Sequence, residues 1–533
     1  MDQETKEEQV TEEVQVSEAA SEPAAEAAKT SPYKGFWAKV DNFFGISKSG
    51  SKYRTEVIAG LTTFMAMVYI LMVNADMFKL VIGGSDPYGA AYIATAIGAI
   101  VGTLLMAFLA KMPLAQASGM GVNAFIVFTL IGLGGSATGL TYANAMVFTL
   151  LDGAIFVLLT VTGLRKKIFK AVPRTVRHAI TVGIGLFIAF IGMQNAGIIV
   201  PNPSTKVAFV SFNFLNGKNL VWNAVTNTYD AIPVTYGSVL PAFIALLGVL
   251  AIAILTKKKV KGAILWGILG STVAYYALAG LGCAWSDEAC KAVFAGITVE
   301  NPFQAFGAWG KDSVAQVFIN GFNFDKYLGL QGNNVGTLIM LLITTALSLC
   351  MIDLFDTLGT VYGACAKGGL LDENGVPLNM NKMMLSDAIA TCAGAVAGTS
   401  TVTTFVESSS GVAAGGKTGF TALVTGLCFI VAMFLSPIAR LIPSCATATA
   451  LIWVGVLMMS AVTTIDWADA AEAIVGFMTF IVMVLGYSIS KGIGIGIITY
   501  IIVKLCTGKV KDISVVTWVI GALFVATFLV SSM

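Results

Sequence analysis

From residue 57 onward the chain is a succession of apolar stretches, each about as long as a bilayer core is thick, and nothing constrains its fold more. A helix of about 20 apolar residues spans that core. Such stretches run near 57–78, 89–110, 113–131, 141–162, 178–198, 238–256 and 261–280. They resume near 334–360, 384–398, 400–415, 419–437, 443–463, 470–488, 491–506 and 513–531. In lipid every backbone N–H and C=O must be satisfied within the protein, which helices achieve alone. The expectation is an all-α polytopic membrane protein of fourteen or fifteen segments, the close spacing after residue 470 leaving the count open. Composition agrees, because 12% of residues are charged against roughly 25% in soluble proteins. A soluble globule is excluded, and a net charge of +2 gives no basic excess for nucleic acid.

Residues 1–33 differ from everything after them. Nine of the chain's 30 acids lie there, between Asp2 and Glu26, leaving 21 in the other 500 residues. An acidic start is no secretory signal, and a Glu/Ala-rich stretch without aromatic clusters reads as a disordered tail. Residues 34–56 form a basic, aromatic juxtamembrane segment (Lys34, Phe36, Trp37, Phe43, Phe44, Arg54) suited to the membrane surface. Basic clusters follow the fourth segment (Arg165, Lys166, Lys167, Lys170, Arg174, Arg177) and the sixth (Lys257, Lys258, Lys259, Lys261). The positive-inside rule puts both in the cytoplasm, and the N-terminus with them.

The second half of the chain echoes the first. Gly153-Ala-Ile-Phe156 leads through Arg165 and Pro173 to Val182-Gly183, and Gly426-Leu-Cys-Phe429 leads through Arg440 and Pro443 to Val454-Gly455, about 270 residues later. Seven segments, an odd number, separate the copies, so the second is inverted in the membrane, as in secondary transporters that bind substrate midway between repeats. Two segments are also poor continuous helices: Pro113 to Phe125, and Gly398 to Gly411 with its run of threonines and serines. β-Branched and hydroxyl residues favour extended backbone, tolerated at membrane depth only where protein or a watery cavity satisfies it. Each stretch is expected to be a short extended segment followed by a half-helix whose N-terminus offers N–H donors to a central ligand.

Acids inside such segments cost roughly 2.5–3.5 kcal/mol each and persist for a role. Asp353 and Asp356 are three apart, on one side of a helix, and two acids that close in low dielectric resist being ionised together. The pair is therefore a candidate proton carrier. Glu407, before Ser408-Ser409-Ser410, suits the N–H edge of a ligand or the cap of its half-helix. Asn123 offers both donors and acceptors, and Phe125, Phe355 and Phe405 are placed to stack on a flat ligand. Asp387 either supports the site from the ninth segment or sits near its entrance, the second being the reading preferred, and Asp76, Asp152 and Glu472 are expected at helix ends. Lys417 is expected at the cytoplasmic end of its segment. His178, the chain's one histidine, is expected exposed beside its basic cluster. No metal site and no cofactor is expected, since a single histidine and eight cysteines without a CxxC pair supply no ligand set. Cys283 and Cys290 share a polar loop, either bridged or as two free thiols.

At four places the sequence resembles AzgA-like purine permeases, nucleobase–cation symporters related to the xanthine and uracil permeases. The matching stretches are Glu56 to Leu71, Gly119-Met-Gly-Val-Asn-Ala-Phe125, Asp353-Leu-Phe-Asp-Thr-Leu-Gly-Thr360, and Gly398 through Gly411 to Gly419. Val122 and Phe405 stand where relatives often carry Leu and Tyr. The resemblance implies fourteen spans in two inverted seven-helix repeats. A core domain would take 57–170 and 334–440, and a gate domain 171–333 and 441–533. It also implies proton-coupled uptake of adenine, guanine or hypoxanthine by a carrier, not an enzyme, with a homodimer through the gate domain. Asn123, Asp353 and Glu407, with Phe125 and Phe405 around them, would bind the purine, and Asp356 would couple the proton. An anion transporter of the same architecture is the alternative, though three carboxylates would repel its substrate. A channel would need a ring of acids along a pore.

Overall fold

A computed structural model of the chain describes residues 32–132, 138–163, 172–214, 217–223, 228–284, 287–295, 301–373 and 376–530. Most of the acidic tail, and the cluster Arg165, Lys166, Lys167 and Lys170, lie outside the described residues. A short helix α1 (Phe36–Phe44) precedes the membrane helices. The first seven segments are α2 (Tyr53–Phe78), α3 (Pro87–Ala110), strand β1 (Gln116–Ser118) with half-helix α4 (Met120–Leu130), α5 (Tyr142–Val161), α6 (Arg174–Asn195), α7 (Tyr236–Lys257) and α8 (Ala263–Ala284). Two hairpins, β2 (Ile199–Asn202) with β3 (Lys206–Phe209) and β4 (Lys218–Asn223) with β5 (Thr228–Pro233), link α6 to α7. The next seven are α9 (Val335–Gly368), α10 (Met380–Ala397), strand β6 (Val402–Thr404) with half-helix α11 (Ser408–Ala413), α12 (Gly419–Met433), α13 (Ser444–Thr464), α14 (Ala470–Leu485) and α15 (Ile489–Cys506). A fifteenth helix, α16 (Val515–Val530), follows and packs on α15 and α9. Among the described residues α16 stands outside the two sevens.

Local chemistry sets the ends. Asn334 caps α9 in a reciprocal box with Thr337, each side chain meeting the other's backbone N–H at 2.9–3.0 Å. Gly369, at φ 63, closes the same helix in the left-handed conformation. Asp86 caps α3, with Pro87 in the first turn where a missing N–H costs nothing.

The architecture is that of a polytopic membrane protein built from two inverted repeats of seven. In each set the third segment is the broken one, so β1–α4 corresponds to β6–α11. The repeat seen in the sequence maps α5–α6 onto α12–α13. Helices α2–α5 pack with α9–α12, and α6–α8 pack with α13–α15. Val182-Gly183 and Val454-Gly455 lie on α6 and α13, which cross closely. A Cβ added at Gly455 would sit 2.6 Å from the Ala189 Cβ, and one at Gly192 would sit 2.9 Å from the Leu451 Cβ.

Candidate functional site

The two broken segments meet. β1 and β6 pair antiparallel, Gln116 opposite Thr404, Ala117 opposite Thr403 and Ser118 opposite Val402. The ladder extends through Gly119 N–H to Thr401 O (2.9 Å) and Phe405 N–H to Ala115 O (3.1 Å). These bonds satisfy backbone that lipid could not. Hydroxyls lock the pair sideways: Ser118 Oγ lies 2.8 Å from Thr399 Oγ1 and 2.7 Å from Ser400 Oγ, and Asn74 Nδ2 donates to Thr95 (2.6 Å) and Thr399 (3.1 Å). The threonine-rich run is thus extended, with Thr399, Ser400 and Thr404 bonded across to the first break. Both strands lead into half-helices, so the N-termini of α4 and α11 are brought together inside the protein.

A cavity of about 400 Å³ lies beside them, within the 300–1,000 Å³ usual for small-molecule sites. Asp356 and Glu407 are on its wall, with Phe355, Phe405 and Gly359 from the α9 and β6–α11 side. Ile184 and Ile188 of α6 and Val454, Leu457 and Met458 of α13 form the opposite, apolar wall. Glu407 begins α11 and accepts a 2.6 Å hydrogen bond from the Tyr69 hydroxyl, which sits where α2 kinks at Val68–Tyr69. Asp356 accepts from Thr403 Oγ1 at 3.4 Å. A Cβ on Gly119, the residue that begins α4, would lie 3.7 Å from Asp356 Oδ2. Each carboxylate is therefore placed at the N-terminus of a half-helix, where backbone donors stabilise negative charge.

The remaining predicted residues lie behind that wall. Asp353 is fully buried, and Thr357 Oγ1 is 3.2 Å from its Oδ1 and 3.0 Å from Asp387 Oδ1. Gln116 Nε2 donates to Asp387 at 3.2 Å. Asp387, expected near the entrance, is instead buried in this cluster, because α10 turns that face onto β1 and α9. Asn123 is buried with its Oδ1 accepting from Ser118 (3.0 Å) and from Ser400; among the described residues its Nδ2 meets no acceptor. Phe125 is packed in the core and is not on the cavity wall, whereas Phe405 is. His178, expected exposed, is half-buried and lines the cavity's far end with Thr181, Ser460 and Thr464. Those residues belong to the start of α6 and the end of α13. The cavity therefore runs from the half-helices toward the face of the membrane that carries α1 and Lys417. Cys283 and Cys290 are free thiols.

Tyr69 and Gln116 were not anticipated as site residues. Tyr69 stood inside the Glu56–Leu71 motif and Gln116 inside the first break, so both were flanked by a signal that pointed elsewhere.

The chain matches a profile of the xanthine/uracil permease type, described as "Permease family", over residues 54–495. It is 34% identical to guanine/hypoxanthine permease PbuO of Bacillus subtilis over 90% of this chain and 98% of that one. Against adenine permease AdeP of Escherichia coli it is 35% identical over 91% and 95%, and against guanine/hypoxanthine permease PbuG of Bacillus subtilis 35% over 91% and 99%. Among solved structures it superposes on the transmembrane domain of the cyanobacterial bicarbonate transporter BicA, with TM-score 0.53, 16% identity, and coverage of 82% of this chain and 96% of that one. The inward-facing murine Slc26a9 anion transporter gives TM-score 0.55, 14% identity, and coverage of 90% and 74%.

Proposed function

The chain belongs to the permease family that includes the guanine/hypoxanthine and adenine permeases, and on that premise we propose that it imports purine nucleobases together with protons across the plasma membrane. The observation that carries the proposal is the cavity in which Asp356 and Glu407 stand at the N-termini of paired half-helices, with Phe355 and Phe405 on the same wall. A purine is flat and neutral. Its faces suit aromatic rings, and its N–H edge suits the carboxylates on the cavity wall. Helices α2–α5 with α9–α12 act as the core domain (57–170 and 334–440) and carry these groups. Helices α6–α8 with α13–α15 act as the gate domain (171–333 and 441–533) and supply the apolar wall. Rocking one against the other exposes the cavity to each side in turn. With the N-terminus cytoplasmic, the cavity opens inward.

We assign the two α9 acids differently from the resemblance. Asp356, on the cavity wall, contacts the purine with Glu407. Asp353, behind the wall, holds the proton with Asp387. A threonine hydroxyl has one proton to give. Thr357 can therefore bond both carboxyls at once only when one of them is protonated and donates back to it. Purine binding and proton binding are then neighbours linked through one turn of α9, and the linkage is reciprocal. Asn123 Nδ2, which meets no acceptor among the described residues, is the amide that donates to a purine carbonyl or ring nitrogen.

Radiolabelled uptake in cells lacking purine transport, competed by adenine, guanine and hypoxanthine with and without a protonophore, tests the function. Accumulation inhibited by at least one base and collapsed by the protonophore is expected. Uptake of none of the three, or accumulation indifferent to the protonophore, overturns it. Sulfate and bicarbonate are expected not to compete, since the site already holds carboxylates.

A further inference from the structure

We propose that α1 and the loop after it form a binding surface for anionic phospholipid headgroups, with the helix lying in the interface of the leaflet on its own side of the membrane. The buried face of α1 is fixed to the ends of the membrane helices. Phe44 packs against Phe108 of α3 and Phe420 of α12, with ring centroids 5.9 and 5.7 Å apart. The Tyr53 hydroxyl donates to Trp37 O at 2.6 Å, and Lys111 Nζ donates to Phe43 O at 2.9 Å. Asp41, the one acid between residues 34 and 54, is buried and accepts from the Ser47 amide at 2.8 Å.

The outward side is of two kinds. Phe36 is 70% exposed, Trp37 54% and Phe43 45%, more aromatic surface than one short helix leaves in water without a use. Around them Lys34, Lys39, Lys48, Lys52 and Arg54 are all exposed. A helix held at the ends of membrane spans, with aromatics outward and five cations and no free acid beside them, matches the boundary between acyl chains and anionic headgroups. The chain's own residues 1–31 offer the opposite charge but no aromatic residue, so they suit the cations and leave the rings uncovered. The inference needs only a membrane-embedded chain and stands whether or not the cavity carries purines.

The test uses the full-length protein in vesicles of phosphatidylcholine and phosphatidylglycerol, one lipid brominated at a time. Trp37 emission is taken as the difference between the parent and Trp37→Phe. Quenching of Trp37 by both lipids is expected, reaching half its maximum at a several-fold lower fraction of brominated phosphatidylglycerol. In K34Q/K39Q/K48Q/K52Q the preference is expected to fall by up to about fivefold per lysine removed, with the melting temperature in detergent unchanged because no buried contact is touched. If the quadruple variant melts early, the pairs K34Q/K39Q and K48Q/K52Q replace it. Equal quenching by the two lipids, or none by either, overturns the proposal. So does a preference that appears only after residues 1–31 are deleted, which would show that the tail, not lipid, occupies the cations.

Discussion

Glu56 is a fully buried carboxylate far from the cavity, and its partners explain why two of the sequence motifs occur together. Its oxygens accept from the amides of Lys417 (3.0 Å) and Thr418 (3.3 Å) and from the hydroxyls of Thr418 (2.9 Å) and Thr421 (2.6 Å). A side chain at the start of α2 thus caps α12, and its charge lies where that helix's dipole favours it. Glu56→Ala leaves these donors buried without an acceptor, so a loss of about 3 kcal/mol is expected. It should be read as a lower melting temperature in detergent and less protein in the membrane, with purine affinity of the surviving fraction unchanged. Tyr69 behaves in the opposite way, because its hydroxyl orients Glu407 and its ring is already packed. Tyr69→Phe is expected to raise the KM for purine about tenfold, the worth of one hydrogen bond to a charged group, at unaltered expression. An unchanged KM would show that Glu407 holds its position without help. The two acids of α9 separate by phenotype as well. Asp356→Asn is expected to abolish purine binding, whereas Asp353→Asn keeps counterflow exchange and loses proton-driven accumulation. The reverse pattern, read in exchange and uptake assays on proteoliposomes, would return the roles to those the resemblance implies.

At the scale of elements, α6 and α13 cross closely, and glycines there let the two backbones meet. Gly455→Leu places a branched side chain where even a Cβ would lie 2.6 Å from its neighbour. Overpacking of that kind costs about 1–3 kcal/mol, so the variant is expected to melt several degrees lower and to transport poorly, with Gly455→Ala intermediate. The helix spans, both breaks and the inverted order were legible in the sequence, because hydropathy and backbone preference are carried by consecutive residues. What each break pairs with was not. Gln116 finds Thr404 across 288 residues, more than a whole repeat, and only the fold's two-fold arrangement sets that register. Helix faces were also hidden. His178 and Asp387 each lie on a helix whose orientation is decided by neighbours, so one expected at the surface lines the cavity and one expected at the entrance is buried. Asp353 and Asp356 share a side of α9, yet three residues of helix leave them about 60° apart. That angle is enough to place Asp356 on the cavity wall and Asp353 behind it.

At the scale of the whole molecule, the cavity reaches His178 and Thr464, and several contacts between the two helix groups lie at the opposite ends of those helices. Thr447 of α13 donates to Asp76 at the end of α2 (3.0 Å), and Ser348 of α9 meets Ser490 of α15 at 2.6 Å. Tyr487, held at φ 49 in the turn between α14 and α15, stacks edge-on against Phe128 of α4, with centroids 5.9 Å apart. A rocking carrier has to break these contacts to open outward, so they set part of the balance between its two states. Removing two hydrogen bonds worth about 1 kcal/mol each should shift that balance roughly tenfold or more toward the outward-open form. A reporter is available at Ser460, on the inner reach of the cavity wall. With the eight native cysteines replaced, Ser460→Cys is expected to react with a charged thiol reagent supplied from the cytoplasmic face and to be protected by purine. Adding Thr447→Val and Ser490→Ala should slow that reaction severalfold, because the inner mouth is then closed for most of the time. If the rate is unmoved while purine still protects, these bonds do not weigh on the equilibrium, and the outer closure must rest on the ring contacts of Tyr487 and the packing of α6 against α13.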